Sequence, residues 1–372
     1  MASLLIHHSW SLVFPVDPGG PSDAVETESP RKEIKQPKFL VMTDVVTEIY
    51  PQESSRSVKQ MANYSTVSEF QLLGFQSLPG WQTLLFAIFL LIYVLTITGN
   101  VVIISVVKLE PHLHSPMYSY LQNLSFLEIW YTTTTVPKML SSLLKESRTI
   151  SFNGCMTQLY FFVFFGATEC FLLSVMAYDR YLAICDPLHY TIAMNTYSCT
   201  RLTIGSWVIG LFTGLLPSLL ISRLHFCSSS QINHFFCDIP PLLKLSCSDT
   251  SITEKTIFVL SVLVIFTCFF LTLMSYAFII KTVLKIPSAS GRKKTFSTCG
   301  SHLAVVLIYY GTMISMYVQP SANISSELNK VVSIFYTVLT PLLNPVIYSL
   351  RNKDFKDALQ KMVNRKRALH SF

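Results

Sequence analysis

A series of long hydrophobic runs, separated by short polar breaks, occupies nearly everything after residue 80 and constrains this chain more than any other feature. A helix crossing a hydrocarbon core of about 30 Å needs about 20 predominantly apolar residues. The runs read as seven such spans, at 84–107, 117–142, 156–182, 201–221, 256–284, 297–318 and 331–350. The second, third and seventh are less purely apolar than the rest, as expected of helices that turn polar residues toward one another and away from lipid. Composition agrees, with 51% of the 372 residues hydrophobic and 13% charged, against roughly a quarter charged in a soluble domain. The predicted fold is an all-α membrane protein, a seven-transmembrane helix bundle over 84–350.

Loop charges set the orientation. Lys281, Lys285, Arg292, Lys293 and Lys294 flank the fifth-to-sixth connection, and Arg351, Lys353, Lys356, Lys361, Arg365, Lys366 and Arg367 follow the seventh span. The positive-inside rule makes both cytoplasmic. An odd number of spans then puts the amino terminus outside a multi-pass plasma-membrane protein, where Asn63-Tyr64-Ser65 is a glycosylation acceptor. Asn323 heads a second sequon close to the membrane. Residues 1–60, rich in Pro, Ser, Glu and Lys, read as a disordered extension without a signal-peptide pattern, and 61–83 as the outer segment leading into the bundle. In the cytosolic tail, 351–372, Phe355, Leu359, Met362 and Val363 recur at helical spacing among Lys353, Lys356, Asp357 and Lys361. They predict a short amphipathic helix whose basic residues meet anionic membrane lipid, an ordinary solvated tail being the alternative. The net charge of +7 lies in short clusters, with no basic domain to bind nucleic acid.

Several residues inside this frame carry chemistry. Cys155 opens the third span and Arg180 closes it; the intervening helix is about 37 Å long, so they stand at opposite faces of the membrane. Cys227, Cys237 and Cys247 share the oxidising side with Cys155, and four thiols allow three pairings. Asp179-Arg180-Tyr181 places an acid beside a base at a cytosolic helix end, where an ion pair broken by opening of the bundle would make a switch; a plain solvated pair is the simpler reading. In Pro341–Tyr348, Pro345 frees the carbonyl of Pro341 so that the helix can bend, and Asn344 and Tyr348 share a face. Glu128 and Glu169 lie deep in the membrane and must be paired, hydrated, protonated or cation-bound. With Asn100 and Asn344 they form a predicted polar cluster, read equally as a sodium (Na+) site or a shared-proton pair. No metal-ligand cluster and no Ser paired with a base stands in the spans, so no enzyme is expected. The seventh span has no Lys between Val331 and Leu350 for a retinal Schiff base. A transporter would show internal repeats or broken half-helices.

Pro116-Met117-Tyr118, Leu124–Glu128, Met176–Cys185 (MAYDRYLAIC), Pro187–Tyr190, Lys294–Leu303 (KTFSTCGSHL) and Pro341–Asn352 together are very specific. From about Met61 onward the chain resembles rhodopsin-like G-protein-coupled receptors and, among them, vertebrate odorant receptors of the tetrapod-type group. The resemblance implies disulfides Cys155–Cys237 and Cys227–Cys247. It implies a ligand site in the outer half of the bundle lined by Phe162, Val163, Gly166, Ala167, Leu260, Ser261, Val264, Met313, Ile314 and Tyr317. That set is mostly apolar and without Asp or Lys, which suits a small neutral volatile odorant; Gly166 and Ala167 either leave space for it or let helices pack closely. A heterotrimeric G protein of the stimulatory olfactory type, raising cyclic AMP, is the implied partner, meeting the inner ends of the third, fifth and sixth spans and Leu188. A receptor for another small apolar ligand shares the same fold.

Overall fold

The computed structural model describes residues 67–75, 80–144, 148–227, 230–318, 326–350 and 353–370. Asn63, Asn323 and the predicted disordered extension lie outside the described residues. Among the described residues, seven long helices follow one another: α1 (Gln82–Leu109), α2 (Pro116–Leu144), α3 (Phe152–Cys185), α4 (Thr196–Ser222), α5 (Ser251–Leu284), α6 (Ala289–Tyr317) and α7 (326–350), with α8 (Lys353–His370) after them. Lipid cannot satisfy backbone amides, so each span must close its own ladder, which a helix does. The helices overrun the hydrophobic runs, most of all at α6, which begins at Ala289 rather than 297. Hydropathy marks only the lipid-facing stretch, whereas helix ends are set by caps. Ser151 accepts from Gly154 N at 3.1 Å to start α3, and Asn195 accepts from Ser198 N at 2.8 Å to start α4.

Five stretches are long and apolar enough to cross a membrane by themselves: α1, α3, α4, α5 and Glu327–Ile347 of α7. Helix α2 falls short, as expected of a helix with a polar interior face. In α6 the stretch His302–Tyr317 is apolar. Helix α3 is the axis of the bundle, with 78% of its most apolar window buried against 22% for α1. Its contact with α4 is close to backbone-on-backbone. A Cβ on Gly210 would lie 2.0 Å from Thr168 Oγ1, and one on Gly214 would lie 2.9 Å from Phe164 N, so only glycine permits this approach. Helix α7 opens into a π turn at Phe335–Leu339 and contains Pro345 farther on.

At the Cys155 end the bundle carries a cap with a small three-stranded sheet. Strand β1 (Glu69–Leu72) lies between β2 (Thr149–Ser151), antiparallel with Glu69 opposite Ser151, and β3 (Gln231–Ile232), parallel with Gln71 opposite Gln231. Runs of two to four residues are too short for a period-two pattern to register. The helix Ile239–Leu245 completes the cap, and Phe70, Leu72, Leu159, Ile221 and Ile232 form its core. Two disulfides fasten it, Cys155–Cys237 tying α3 to the loop and Cys227–Cys247 closing the loop on itself. Cys170, Cys185, Cys199, Cys268 and Cys299 are free thiols.

At the opposite end, α8 is not a solvated tail. Phe355 and Ala358 are buried, and Leu359 and Met362 pack partly, against Val106, Val107, Leu113 and Leu121. Val363 alone of the predicted apolar stripe stays exposed. Lys361 meets the buried Glu110 at 3.3 Å, which ties α8 to the turn after α1.

Candidate functional site

Beneath the cap, α3, α4, α5 and α6 diverge around a cavity. Phe162, Val163, Gly166 and Ala167 of α3, Leu260, Ser261 and Val264 of α5, and Met313 and Tyr317 of α6 line it. Of the residues the resemblance implied, only Ile314 stands elsewhere; one residue on from Met313, it is rotated by about 100° and packs into the core around Tyr310. The sequence reading missed Cys170, Thr213, Pro217, Ile239 and Ile265. Thr213 and Pro217 come from α4, a helix left out of the expected pocket, and no residue-type signal marked them. The choice between space and close packing at Gly166 is resolved as space. A Cβ there would meet only the ends of side chains, Met313 Cε at 3.4 Å and the Tyr131 and Tyr309 hydroxyls beyond, whereas close packing falls to Gly210 and Gly214.

The roof of the cavity is polar in a directed way. Asp238, buried in the cap beside Cys237, receives hydrogen bonds from Ile239 N at 2.7 Å, the Tyr317 hydroxyl at 2.9 Å and the Tyr336 hydroxyl at 3.4 Å. Burial pushes its carboxyl up to about 6, against the three donors. Behind it, Tyr336 and Ser333 hydroxyls lie 2.9 Å apart, Ser333 donates to Asn329 O at 2.7 Å, and His234 Nε2 stands 3.2 Å from Ser333 Oγ. His234 Nδ1 accepts from Phe236 N, which leaves the ring hydrogen on Nε2. Burial first, then the charge of Lys330, pulls His234 down to about 3. None of Asp238, His234 or Tyr336 was anticipated as part of the site; Asp238 follows a disulfide cysteine, which is the one sequence cue it offers.

One turn deeper, Glu128, Glu169 and Asn344 of the predicted cluster come together, and Asn100 reaches α7 at Pro341. Asn344 Nδ2 donates to Glu128 Oε1, and Asn100 Nδ2 donates to Thr96 O at 3.0 Å and Pro341 O at 3.4 Å. The carbonyl that Pro345 releases is thus taken up by Asn100 of α1. Glu128 and Glu169 stand side by side, and the Tyr309 hydroxyl beside them gives its hydrogen to Gly166 O at 2.7 Å instead. Asn100 Oδ1, Glu128 Oε2, both Glu169 oxygens and Asn344 Oδ1 are buried without a hydrogen-bond partner among the described residues. Buried acceptors facing one another without a donor need a proton or a cation between them. All-oxygen surroundings of this kind fit a hard cation such as sodium.

At the far end of α3, Asp179 and Arg180 do not pair with each other. The Tyr190 hydroxyl donates to Asp179 Oδ1 at 2.9 Å instead. Adjacent helical residues point about 100° apart, so the carboxylate turns to the short helix Pro187–Ala193 while Arg180 lies within electrostatic reach of Tyr276, Cys299 and His302 on α5 and α6. Tyr181 is buried and meets Phe278 of α5 edge-on. Tyr276 and His302 hydrogen-bond across α5 and α6. Tyr348 continues the backbone of α7, and its side chain is outside the described residues. Two unpredicted tyrosines moor α6 to α3 near the cavity: Tyr309 on Gly166 O, and Tyr310 on Cys170 O at 2.8 Å.

Comparison with known proteins fits this architecture. A family model described as olfactory receptor matches residues 89–366, from α1 into α8. Olfactory receptor 11L1 of Homo sapiens is 67% identical over 304 residues, covering 82% of this chain and 94% of that protein. Olfactory receptor 6N1 of Homo sapiens is 52% identical over 303 residues (82% and 97% covered), and olfactory receptor 6B9 of Mus musculus 50% identical over 303 (82% and 96%). With a seven-helix bundle, a cavity under a disulfide-fastened cap and matches of this extent, the chain belongs to the olfactory receptor family of odorant-sensing, multi-pass G-protein-coupled receptors.

Proposed function

We propose that the cavity between α3, α4, α5 and α6 binds a small, mostly neutral volatile and that its occupation activates a heterotrimeric G protein of the stimulatory olfactory type, raising cyclic AMP. The chemistry of the cavity carries this reading. Its lining is almost wholly apolar, with Ser261, Thr213, Cys170 and Tyr317 as the polar residue types, and no charged residue lines it among the described residues. An ammonium or carboxylate ligand would lose its hydration there without a counter-charge.

The route inward follows α6. A ligand touching Met313 and Tyr317 presses on the helix that Tyr309 and Tyr310 hold to α3 carbonyls, so the α3–α6 contact is the element that binding biases. Its inner half bears the Tyr276–His302 contact near Arg180. Asp179, Arg180 and Tyr181, with Asn344, Pro345 and Tyr348, serve as the switch between closed and open inner ends. The G protein docks between the inner ends of α3, α5 and α6, and Leu188 and Ile192 of the Pro187–Ala193 helix, 85% and 71% exposed, offer it apolar contacts. Asn100, Glu128, Glu169 and Asn344 would hold a sodium ion, whose charge would stabilise both carboxylates, or a shared proton would take its place. In the plasma membrane the capped end faces outward, in keeping with its cystines, with Asn63 glycosylated and α8 lying on inner-leaflet lipid.

The test is a panel of neutral volatiles applied to cells displaying the tagged chain, with cyclic AMP as readout. Dose-dependent responses are expected. A receptor detected at the surface that stays silent to the whole panel, or answers only charged amines or acids, would overturn the reading.

A further inference from the structure

A second hollow opens at the Arg180 end of the bundle, between the turn after α1, the start of α2 and the start of α4. Its floor is apolar: Val107, Leu113, Met194 and Cys199 are all buried. Its rim is polar and accessible, with Lys108, His114, Ser119, Thr196 and Thr200 exposed and Gln122 half-buried. The side chains of Lys108, Ser119, Gln122, Thr196 and Thr200 make no hydrogen bond or ion pair among the described residues. No Asp or Glu lines the groove among those residues, and Glu110 is turned instead to Lys361 at 3.3 Å and His112 at 3.5 Å. The groove has an apolar continuation. Seven residues along a helix cover about 10 Å and return to within about 20° of the same side, so Phe126 follows Ser119 on α2 and Trp207 follows Thr200 on α4. The Phe126 and Trp207 rings meet at 6.0 Å across the two helices, Trp130 meets Phe126 at 6.2 Å, and Phe126 and Trp130 stand about half exposed on the flank of the bundle.

We propose that this groove binds one phospholipid whose head carries a single negative charge, several hydroxyls and no ammonium, phosphatidylinositol being the membrane lipid of that kind. Lys108 supplies one positive charge for one phosphodiester. Serine, ethanolamine and choline heads each bring an ammonium group, which would meet no carboxylate here and lose hydration without a counter-charge. A ring of hydroxyls, in contrast, gives and takes hydrogen bonds with Ser119, Gln122, Thr196 and Thr200, whose side chains can all do both. The acyl chains then run along Phe126, Trp130 and Trp207 into the hydrocarbon. With the capped end outward, the groove opens at the inner leaflet; the preference among head groups does not depend on that orientation. Met194, on the groove floor, caps the short helix Pro187–Ala193 and receives the Tyr120 hydroxyl on its sulfur at 3.7 Å. A lipid seated there lies against the base of the helix that carries Leu188 and Ile192.

The experiment takes the full chain in mild detergent, adds phosphatidylinositol, phosphatidylserine and phosphatidylcholine at equal mole fraction with matched acyl chains, and counts retained lipid by native mass spectrometry. Phosphatidylinositol is expected to be retained about tenfold over phosphatidylserine, the effect of one charged group left without a partner. Lys108→Gln should lower its retention about tenfold, and Thr200→Val should lower it by less. Lys356→Gln on α8 should leave it unchanged, although an undirected attraction of basic residues for anionic lipid would suffer there equally. Phosphatidylserine or phosphatidylcholine held as well as phosphatidylinositol by the unmodified chain would overturn the inference, and that comparison stands whether or not any variant folds. So would equal losses in the two lysine variants. Complete displacement of the lipid by an equal concentration of soluble glycerophosphoinositol would also overturn it, by showing that the groove takes the free head group and makes no use of the acyl chains.

Discussion

Gly166 and Glu169 sit three residues apart on α3, less than one turn, in opposite regimes. Around Gly166 the side chains stop short of one another and leave a cavity; around Glu169 they crowd until four residues present buried oxygens with no donor. Apolar groups tolerate a gap because a dry void costs each lining atom only a fraction of its dispersion energy. Buried polar groups have no such latitude, since every orphaned acceptor costs about 1–3 kcal/mol. The outer half of the bundle is thus free to vary its shape with the ligand, while the inner half is committed to one arrangement until a proton or cation changes it.

The strongest test of that contrast sets two glycines against each other. Gly210→Leu should remove the receptor from the cell surface almost completely, because even a Cβ there meets Thr168 Oγ1 at 2.0 Å and backbone next to it, an overpacking that no rotamer relieves. Gly166→Ala should leave surface display near normal and alter only which odorants act. Equal display of the two by flow cytometry would break the comparison. Next in size, Arg180→Ala is expected to abolish the cyclic AMP response with display retained; a full response would mean that the inner end of α3 takes no part in switching.

A smaller effect separates the two readings of the carboxyl pair. If sodium bridges Glu128 and Glu169, replacing choline by sodium should raise the unfolding midpoint of the detergent-solubilised receptor by about 2–4 °C per kcal/mol of linkage, and Glu169→Gln should erase the difference. A midpoint blind to sodium in the parent would assign the proton instead. Smallest of all is a pH effect at the roof. Tyr131, Tyr317 and Tyr336 face Asp238 from α2, α6 and α7, and His234 lies beyond Ser333 in the same cap. With His234 held down at about 3 and Asp238 raised to about 6, Asp238 is the one of the two that changes charge between about pH 5 and 7. As pH falls through about 6 it gains a hydrogen, its contact with Tyr317 weakens, and odorant potency should shift. Potencies constant across that range would argue that the Asp238–Tyr317 contact has no part in holding the cavity.

The seven spans and the inward Glu128 and Glu169 were legible because membrane folding writes them in one-dimensional signals, long apolar runs and ionisable residues too costly to face lipid, whereas the cavity face of α3 came from family resemblance. The disulfide pairing came from family resemblance, since spacing alone left three choices. The cap was not legible. Its strands are too short to show a period, and Asp238, His234 and Tyr336 meet across segments far apart in the chain. Asp179 and Arg180 misled by adjacency, which on a helix separates side chains rather than joining them. Thr213 and Pro217 entered the cavity because glycines let α4 approach α3, a consequence of packing that no residue type announces.

The π turn at Phe335–Leu339 has a consequence for how the two halves are kept in register. Tyr336 and Asn344 are eight residues apart, and an unbroken α-helix would set them about 80° out of line around its axis. The residue accommodated by the wide turn winds back about 100°, which brings both to within about 20°. One side of a single helix thus reaches Asp238 at the roof and Glu128 in the polar core at once. Deleting one residue from that turn would heal the helix and keep both side chains in line, seven residues apart, whereas closing the turn at full length would swing Asn344 about 80° away from the acid it serves.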